Sequence, residues 1–291
     1  MSKPDDRSNM PKPEWLRRRL PSGTDFETIN RMIQKGRLHT VCQEAKCPNI
    51  WECFSHKTAT FLILGDRCTR NCRFCAVAHG PAAPPDTEEP LRVAQAVRNM
   101  NLKYVVVTSV TRDDLPDGGA SHFAETIRNI KELIPGAQVE VLIPDFNGSA
   151  VALSIVLDAG PDVLNHNIET VARLYQSVRP GAVYERSLEL IHRVAAYGKM
   201  PAKSGLMLGL GETDAEIRRT LQELHQAGCC FLTLGQYLQP SASHLPVDRF
   251  IHPEEFSEWK KIAEEIGFER VASGPFVRSS YHAKELYYSH S

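Results

Sequence analysis

Short apolar runs alternate with amphipathic stretches along most of this sequence, beginning near Ala59. The apolar runs predict six β-strands, at residues 59–64, 104–109, 138–143, 163–166, 204–208 and 231–234. The amphipathic stretches that follow them predict six α-helices, at residues 91–101, 120–133, 148–159, 184–197, 214–226 and 253–265. Because several of the strands are continuously apolar, we expect a sheet that is covered on both faces.

The repeated order of strand and helix predicts an α/β fold with a parallel sheet and right-handed crossovers. Only six units are visible, so we favour a partial (β/α)6 TIM-like barrel at residues 59–268 over a closed barrel of eight units. Residues 1–58 would form an N-terminal extension, and residues 269–291 a C-terminal closing segment. Reactive loops in such folds gather at the carboxyl ends of the strands.

Composition restricts the possible partners and the compartment. Apolar residues make up 42% of the 291 residues, which is ordinary for a globular protein with a large core. The 34 basic residues balance 35 acidic ones, so the charge gives no reason to expect nucleic acid as a partner. No apolar run reaches the roughly eighteen residues that predict a membrane helix. Unpaired cysteines in a chain of this size favour the reducing cytoplasm.

Six of the eight cysteines form two tight groups. The barrel trio follows the first predicted strand with C-x3-C-x2-C spacing and consists of Cys68, Cys72 and Cys75. The N-terminal trio has C-x4-C-x5-C spacing and consists of Cys42, Cys47 and Cys53. Each group supplies three soft thiolates from one short loop, which suits an iron–sulfur cluster with one iron open to another ligand.

Other uses of these cysteines are weaker hypotheses. A disulfide framework is typical of small secreted chains, and this chain is neither short nor preceded by an apolar signal segment. Structural zinc normally has four ligands, which His56 and His79 could complete. Electron-transfer ferredoxins supply four thiolates to each cluster and are usually shorter. The vicinal Cys229 and Cys230 enter an apolar strand, so we interpret them as small core residues.

Six segments give the chain a family resemblance. The barrel trio resembles the cluster motif of the radical S-adenosylmethionine superfamily, and the surrounding segments are similar to the lipoyl synthase family. The matching segments are 40–53 (TVCQEAKCPNIWEC), 108–120 (TSVTRDDLPDGGA), 165–170 (NHNIET), 179–188 (RPGAVYERSL), 203–213 (KSGLMLGLGET) and 273–283 (SGPFVRSSYHA). They span nearly the whole chain and show no departure in the cysteine spacings.

The resemblance implies two [4Fe-4S] clusters. Cys68, Cys72 and Cys75 would hold the first, whose fourth iron is chelated by the amino and carboxylate groups of S-adenosylmethionine. The N-terminal trio would hold an auxiliary cluster that is consumed as the sulfur donor, with Ser280 of the R-S-S-Y sequence as its fourth ligand.

The resemblance also implies contacts to S-adenosylmethionine. Candidates are the turn at Gly118 and Gly119, the polar residues Asn165, Asn167 and Glu169, the backbone at Gly205 and Met207, and Arg179. Simpler roles remain open for some of them. The two glycines could serve a tight turn before a helix, and Arg179, like Arg186, could form a salt bridge instead of holding a carboxylate.

By resemblance, the activity is sulfur transfer. Two sulfur atoms would enter C6 and C8 of an octanoyl chain attached to a lysine of a carrier domain, such as that of a 2-oxoacid dehydrogenase E2 or the glycine cleavage H protein. Ferredoxin or flavodoxin would supply electrons, and an iron–sulfur carrier would repair the spent cluster. The alternatives are another radical sulfur-inserting enzyme, similar to biotin synthase, and a non-catalytic iron–sulfur electron carrier.

Overall fold

Seven parallel strands form the centre of the computed structural model, which describes residues 11–17, 24–55 and 59–288. The strands are β1 (His39–Thr40), β2 (Thr60–Ile63), β3 (Arg67–Cys68), β4 (Ala78–His79), β5 (Tyr104–Ser109), β6 (Gln138–Leu142), β7 (Val163–Asn165), β8 (Ala202–Leu208), β9 (Cys229–Gln236) and β10 (Arg270–Gly274). The main sheet has the linear order β1-β2-β5-β6-β7-β8-β9-β10, in which only β1 is antiparallel to its neighbour, and β3 pairs with β4 separately.

Helices follow most of the strands. They are α1 (Thr24–Lys35), α2 (Val41–Glu44), α3 (Ile50–Ser55), α4 (Glu89–Asn99), α5 (Ala120–Leu133), α6 (Ala150–Asp158), α7 (Tyr175–Val178), α8 (Tyr184–Tyr197), α9 (Asp214–Gln226), α10 (Pro253–Ile266) and α11 (Ala283–Tyr288). Among the described residues, none of these helices has the length and apolar character needed to cross a bilayer.

The alternation of side chains across β5 shows how the sheet divides the interior. Val105 and Val107 are fully buried in the large apolar core that the sheet forms with the helices. Tyr104 and Val106 belong to a separate small cluster on the opposite face, with Ala283 of α11. Because successive strand residues point to opposite faces, this strand is buried on both sides, as its continuous apolar run predicts.

The predicted partial barrel is confirmed, with one addition. All six predicted strands and all six predicted helices are present, and their ends differ from the predictions by a few residues. The prediction of only six strands was wrong, because β10 pairs in parallel with β9. Its sequence, RVASG, begins with a charged residue and ends with small ones, so it lacks the apolar run used to recognise the others.

After β10, the C-terminal segment runs back along the face of the sheet that lies opposite the large apolar core. It leaves β10 at the carboxyl ends of the strands and finishes in α11, where Tyr287 packs against Tyr104 at the start of β5. Arg270, the first residue of β10, lies over the rings of Phe231 and Tyr287 and donates to the carbonyl oxygen of Leu286. α11 therefore lies at the amino-terminal side of the partial barrel.

A buried ion pair joins two central strands close to the contact between Tyr104 and α11. Lys203 Nζ of β8 lies 2.8 Å from Glu140 Oε1 of β6, and each side chain is 1% exposed. The same carboxylate accepts from Tyr104 Oη at 2.5 Å and from Asn165 Nδ2 at 3.4 Å. Burial and the neighbouring Glu140 carboxylate raise the pKa of Tyr104, so its hydroxyl remains a donor. The pair is well satisfied only while both charges are present.

We predict that Lys203→Met lowers the free energy of unfolding by about 3 kcal/mol, because it leaves the Glu140 carboxylate buried without its counter-charge. The double variant Glu140→Gln with Lys203→Met should be less destabilised than the sum of its single variants. Urea unfolding of the anaerobically purified protein, followed by circular dichroism, measures both effects.

The exposed pair Lys260–Glu264 provides the control, since its side chains are 49% and 51% exposed. Glu264→Gln should change the free energy of unfolding by no more than about 0.5 kcal/mol. Equal losses for Lys203→Met and Glu264→Gln would contradict the proposed importance of the buried pair.

Candidate functional site

A cavity of about 470 Å³ lies at the carboxyl ends of the parallel strands. Both cysteine trios and Ser280 line it. The other predicted site residues in its wall are Asn167, Glu169, Arg179, Gly205 and Met207. The predicted contacts Gly118, Gly119 and Asn165 are not among the residues that line it. The structure thus brings together Cys42 and Ser280, which are more than 200 positions apart in the sequence.

The N-terminal trio reaches this cavity because its segment is tied to the barrel. β1 pairs antiparallel with β2, with Thr40 opposite Phe61, and Thr40 caps the short helix α2 that carries Cys42. Two backbone hydrogen bonds then fold the loop: the Cys47 amide donates to the Cys42 carbonyl at 3.0 Å, and the Cys53 amide donates to that of Asn49 at 2.9 Å.

The barrel trio lies in the loop after β2, as the spacing predicts. Cys68 ends β3, and its Sγ accepts a hydrogen bond from the Thr111 amide at 3.3 Å. The Cys75 amide donates to the Cys72 carbonyl at 3.0 Å, which closes the turn between them. The loop after β5 therefore holds the first thiol of the trio, and local turn geometry relates the other two.

Burial keeps several of these thiols neutral in the metal-free chain. It raises the pKa of Cys42 and of Cys75 to about 12. It also raises the pKa of Cys72, although the nearby Arg179 guanidinium opposes this shift. Because iron binds the thiolate, cluster assembly at either trio must release protons.

The arrangement does not resemble a site for a single metal ion. Within residues 11–17, 24–55 and 59–288, no three His, Cys, Asp or Glu side chains converge as ligands of one ion. A cuboidal cluster differs, because each thiolate binds a separate iron at its own corner. Of the two histidines proposed for zinc, His79 is exposed and does not line the cavity, and His56 lies outside the described residues.

Four residues of the cavity wall have a buried polar atom without a hydrogen-bond partner among the described residues. These atoms are Asn49 Oδ1, Ser109 Oγ, Asn167 Oδ1 and Arg179 Nε, of which the last two belong to predicted site residues. Arg179 Nη1 is already used, donating to the Asn167 carbonyl at 2.9 Å and to Tyr175 Oη at 3.0 Å. Since unpaired buried polar groups are costly, these atoms fit the polar groups of a ligand such as S-adenosylmethionine.

Glu169 is held beside these atoms in a strained conformation. Its φ of +67° is unusual for a residue other than glycine. Its amide donates to the Gly205 carbonyl and its own carbonyl accepts from the Met207 amide, both at 2.9 Å, so the bend is fixed against β8. A Cβ on Gly205 would lie 2.8 Å from Asn167 Oδ1, so glycine keeps the space beside that atom open.

The three predicted contacts that do not line the cavity stay predictions, and the structure shows how each residue is held. Gly118 and Gly119 have φ of +62° and +90°, and Gly119 is the N-cap of α5. A Cβ on Gly119 would lie 2.3 Å from Leu64 Cδ1, so this turn requires glycine for close packing. Asn165 is fully buried and bonds to Glu140 in the polar layer beneath the cavity.

The R-S-S-Y segment connects the two sides of the cavity. Ser279 Oγ accepts from Asn167 Nδ2 at 2.6 Å, whereas Ser280 follows it in the wall shared with the cysteines. Tyr281 Oη donates to Glu52 Oε1 at 2.8 Å, next to Cys53 in the N-terminal trio.

A second bond joins the same two segments, since Asn49 Nδ2 donates to the Phe276 carbonyl at 2.7 Å. The sequence analysis missed Asn49, Glu52 and Ser279. Their nearness in sequence to Cys53 and Ser280 is the one signal that could have indicated them.

Comparisons with known proteins agree with this geometry. The family model for the Radical SAM superfamily matches residues 62–224, and that for the N-terminal domain of lipoyl synthase of the Radical SAM family matches residues 2–47. Lipoyl synthase from Chlorobaculum tepidum is 53% identical over 274 residues, which are 94% of this chain and 94% of that protein. Lipoyl synthase from Desulfotalea psychrophila is 56% identical over 277 residues, 95% of this chain and 93% of that protein.

Solved structures share the fold at low sequence identity. The FeFe-hydrogenase maturase HydG from Carboxydothermus hydrogenoformans has a TM-score of 0.55 at 15% identity, with 84% of this chain and 64% of that chain covered. Coproporphyrinogen III oxidase (HemN) from Escherichia coli, a radical SAM enzyme, has a TM-score of 0.53 at 12% identity, with 71% and 52% covered.

The relatives identify the family more closely than the fold does. Their alignments cover nearly the entire chain, and more than half of the aligned positions are identical. The family uses two [4Fe-4S] clusters together with S-adenosylmethionine, and the two cysteine trios in one cavity suit that requirement. The chain therefore belongs to the lipoyl synthase family of the radical S-adenosylmethionine superfamily.

Proposed function

We propose that this chain inserts two sulfur atoms, at C6 and C8, into an octanoyl group that is linked through an amide to a lysine of a carrier domain, forming the lipoyl group. The observation that carries the proposal is the shared cavity, whose wall contains both cysteine trios and Ser280. An enzyme that activates a C–H bond and supplies sulfur to the same carbon needs both functions within reach of one substrate chain.

The barrel trio supports the activation step. Cys68, Cys72 and Cys75 would hold a [4Fe-4S] cluster, which when reduced would supply the electron for cleavage of S-adenosylmethionine to a radical able to remove hydrogen from an unactivated carbon. Asn167 Oδ1 and Arg179 Nε can bind the polar groups of S-adenosylmethionine without giving up any hydrogen bond to protein. Apolar side chains of the same wall, including Leu62, Leu142 and Leu206, suit an octanoyl chain.

The N-terminal trio and Ser280 support the transfer step. Ser280 belongs to the segment that Asn49 and Glu52 tie to the cysteine loop, which supports its role as the fourth ligand of the auxiliary cluster. An alkoxide is a harder ligand than a thiolate, so the iron that it holds would be released more readily when the cluster gives up sulfur.

The partners follow from the chemistry. Lipoyl carrier domains are the substrates, and we propose those of 2-oxoacid dehydrogenase E2 subunits and of the glycine cleavage H protein. Ferredoxin or flavodoxin would provide low-potential electrons, and an iron–sulfur carrier would rebuild the auxiliary cluster after each product. We propose the cytoplasm as the compartment, because iron–sulfur clusters and cysteines that form no disulfides favour reducing conditions.

The alternative hypothesis, that the chain is another radical sulfur-inserting enzyme similar to biotin synthase, has less support. The N-terminal trio and the R-S-S-Y segment should be absent from such an enzyme, and here both line the cavity.

We predict that the anaerobic protein contains about eight irons and eight sulfides, as two four-iron clusters require. With reductant, S-adenosylmethionine and an octanoyl-lysine peptide, it should release 5'-deoxyadenosine and convert the peptide first to a monothiolated and then to a dithiolated form. Liquid chromatography with mass spectrometry measures both products.

Two cysteine variants make this test specific. Cys72→Ala should abolish formation of 5'-deoxyadenosine, whereas Cys230→Ala should keep full iron content and turnover, because Cys230 does not line the cavity. Formation of 5'-deoxyadenosine with no thiolated peptide would reject the octanoyl substrate. Zinc in place of iron would reject both clusters.

We also predict that Ser280→Cys keeps about eight irons but lowers the rate of peptide thiolation at least about tenfold, because a thiolate holds the departing iron more tightly. Cleavage of S-adenosylmethionine should persist, since the barrel trio is unchanged. Ser280→Ala, which lacks any ligand atom, should instead lose iron from the auxiliary site. Unchanged thiolation by Ser280→Cys would show that a labile oxygen ligand is unnecessary.

A further inference from the structure

The loop between Cys68 and Cys72 carries a buried arginine that the proposed reaction does not use. The Arg70 side chain is only 7% exposed. Its Nε donates to Asp113 Oδ2 at 2.7 Å, and its Nη2 donates to Asp113 Oδ1 at 2.9 Å, to Asp145 Oδ1 at 2.6 Å and to Asn147 Oδ1 at 2.9 Å. One guanidinium therefore serves four acceptor positions.

These acceptors belong to the two loops that neighbour the cysteine loop in the sheet. Asp113 follows β5, and Asp145 and Asn147 follow β6. The two acceptor loops are also joined directly, since Asn147 Nδ2 donates to Asp113 Oδ1 at 2.9 Å. Arg70 thus lies at the junction of three successive loops at the carboxyl edge of the sheet.

The charges at this junction neutralise one another. Asp145 is buried, with its side chain 1% exposed, and its second oxygen accepts from Arg186 Nη1 at 3.2 Å. Burial alone would raise the pKa of Asp145, but the Arg70 guanidinium outweighs that effect and lowers it to about 2. The two arginines and the two aspartates sum to zero charge, so removing one of them leaves a buried charge unpaired. Arg186, a candidate for holding a carboxylate, is part of this structural junction.

The adjacent residue anchors the same loop a second time. The Thr69 amide donates to the Thr111 carbonyl at 3.0 Å, and the Asp113 amide donates to Thr69 Oγ1 at 3.0 Å. Thr111 is also the residue whose amide donates to Cys68 Sγ. Two of the three residues between Cys68 and Cys72, Thr69 and Arg70, are therefore fixed to the loop that orients the first thiol.

We propose that Arg70 is a positioning residue: through Asp113 and Asp145 it fixes the spacing of Cys68 and Cys72, and so governs how firmly the cluster at the barrel trio is retained. The inference rests on the proposed function to the extent that the barrel trio binds a cluster. Partners that orient metal ligands typically change metal affinity about 10- to 100-fold when they are removed.

The experiment measures iron loss separately at the two trios. Anaerobic holoprotein is mixed with a ferrous chelator and N-ethylmaleimide, and samples are digested over time. Mass spectrometry then quantifies alkylation of the peptide with Cys68, Cys72 and Cys75 and of the peptides with the N-terminal trio. In Arg70→Met, the barrel peptide should be alkylated at least about tenfold faster than in wild type. The N-terminal peptides should stay within twofold of wild type.

Arg112→Met is the matched control. Arg112 is equally buried, with its side chain 2% exposed, but its guanidinium bonds to Asp114 of its own loop and to the Leu64 carbonyl. This variant should leave both alkylation rates within twofold of wild type. Arg70→Lys, which keeps the charge but loses the forked geometry, should lie between wild type and Arg70→Met.

If Arg70→Met does not fold, Asp145→Asn provides a second test of the same junction. It keeps the shape of the side chain and should reproduce the faster alkylation of the barrel peptide alone. Equal acceleration at both trios, or no acceleration in either Arg70→Met or Asp145→Asn, would overturn the proposal. Failure of the proposed function would be seen earlier and separately, as wild-type protein that binds no iron.

Discussion

The structure depends on one constraint, which is that three distant segments must meet at the carboxyl edge of a single parallel sheet. β2 delivers the barrel trio, β1 anchors the N-terminal trio beside it, and the chain after β10 brings Ser280 into the same cavity. A parallel sheet places the ends of all its strands at one edge, so the loops that follow them become neighbours regardless of their separation in sequence. The pairing of β1 with β2 and the hydrogen bonds that join Asn49 and Glu52 to the segment after β10 hold these segments together.

Polar groups are arranged in two layers that serve different purposes. Below the cavity, Glu140 and Lys203 form a pair whose charges and hydrogen bonds are satisfied by protein, which supports a rigid floor. In the cavity wall, Asn167 and Arg179 each keep a buried polar atom without a partner among the described residues. A satisfied layer stabilises the fold, whereas an unsatisfied one is costly until a ligand binds.

Local patterns in the sequence predicted most of the fold and the two cysteine trios that the structure places in one cavity. The six apolar strands and six amphipathic helices were recognisable because each depends on side chains within a few positions, and the cysteine trios because their spacing is local. β10 was not recognised because its sequence lacks an apolar run and it is identified only by its pairing with β9.

Long-range pairings were beyond such reasoning. Arg70 meets Asp145 across 75 positions, and Tyr281 meets Glu52 across 229. Gly118, Gly119 and Asn165 illustrate the same point, since the motif predicts contacts there and only the fold shows that these residues form the turn before α5 and the polar layer beneath the cavity. The fold decides which members of a motif face the cavity, and the sequence pattern alone does not contain that information.

The central claim is that the sulfur atoms of the product come from the cluster held by the N-terminal trio and Ser280. The most direct test is a single turnover of protein whose clusters were assembled from heavy-isotope sulfide, carried out in a medium that contains only ordinary sulfide. Both sulfur atoms of the dithiolated peptide should carry the heavy isotope. Ordinary sulfur in the product would contradict it, because the sulfur would then have come from solution and not from the cavity.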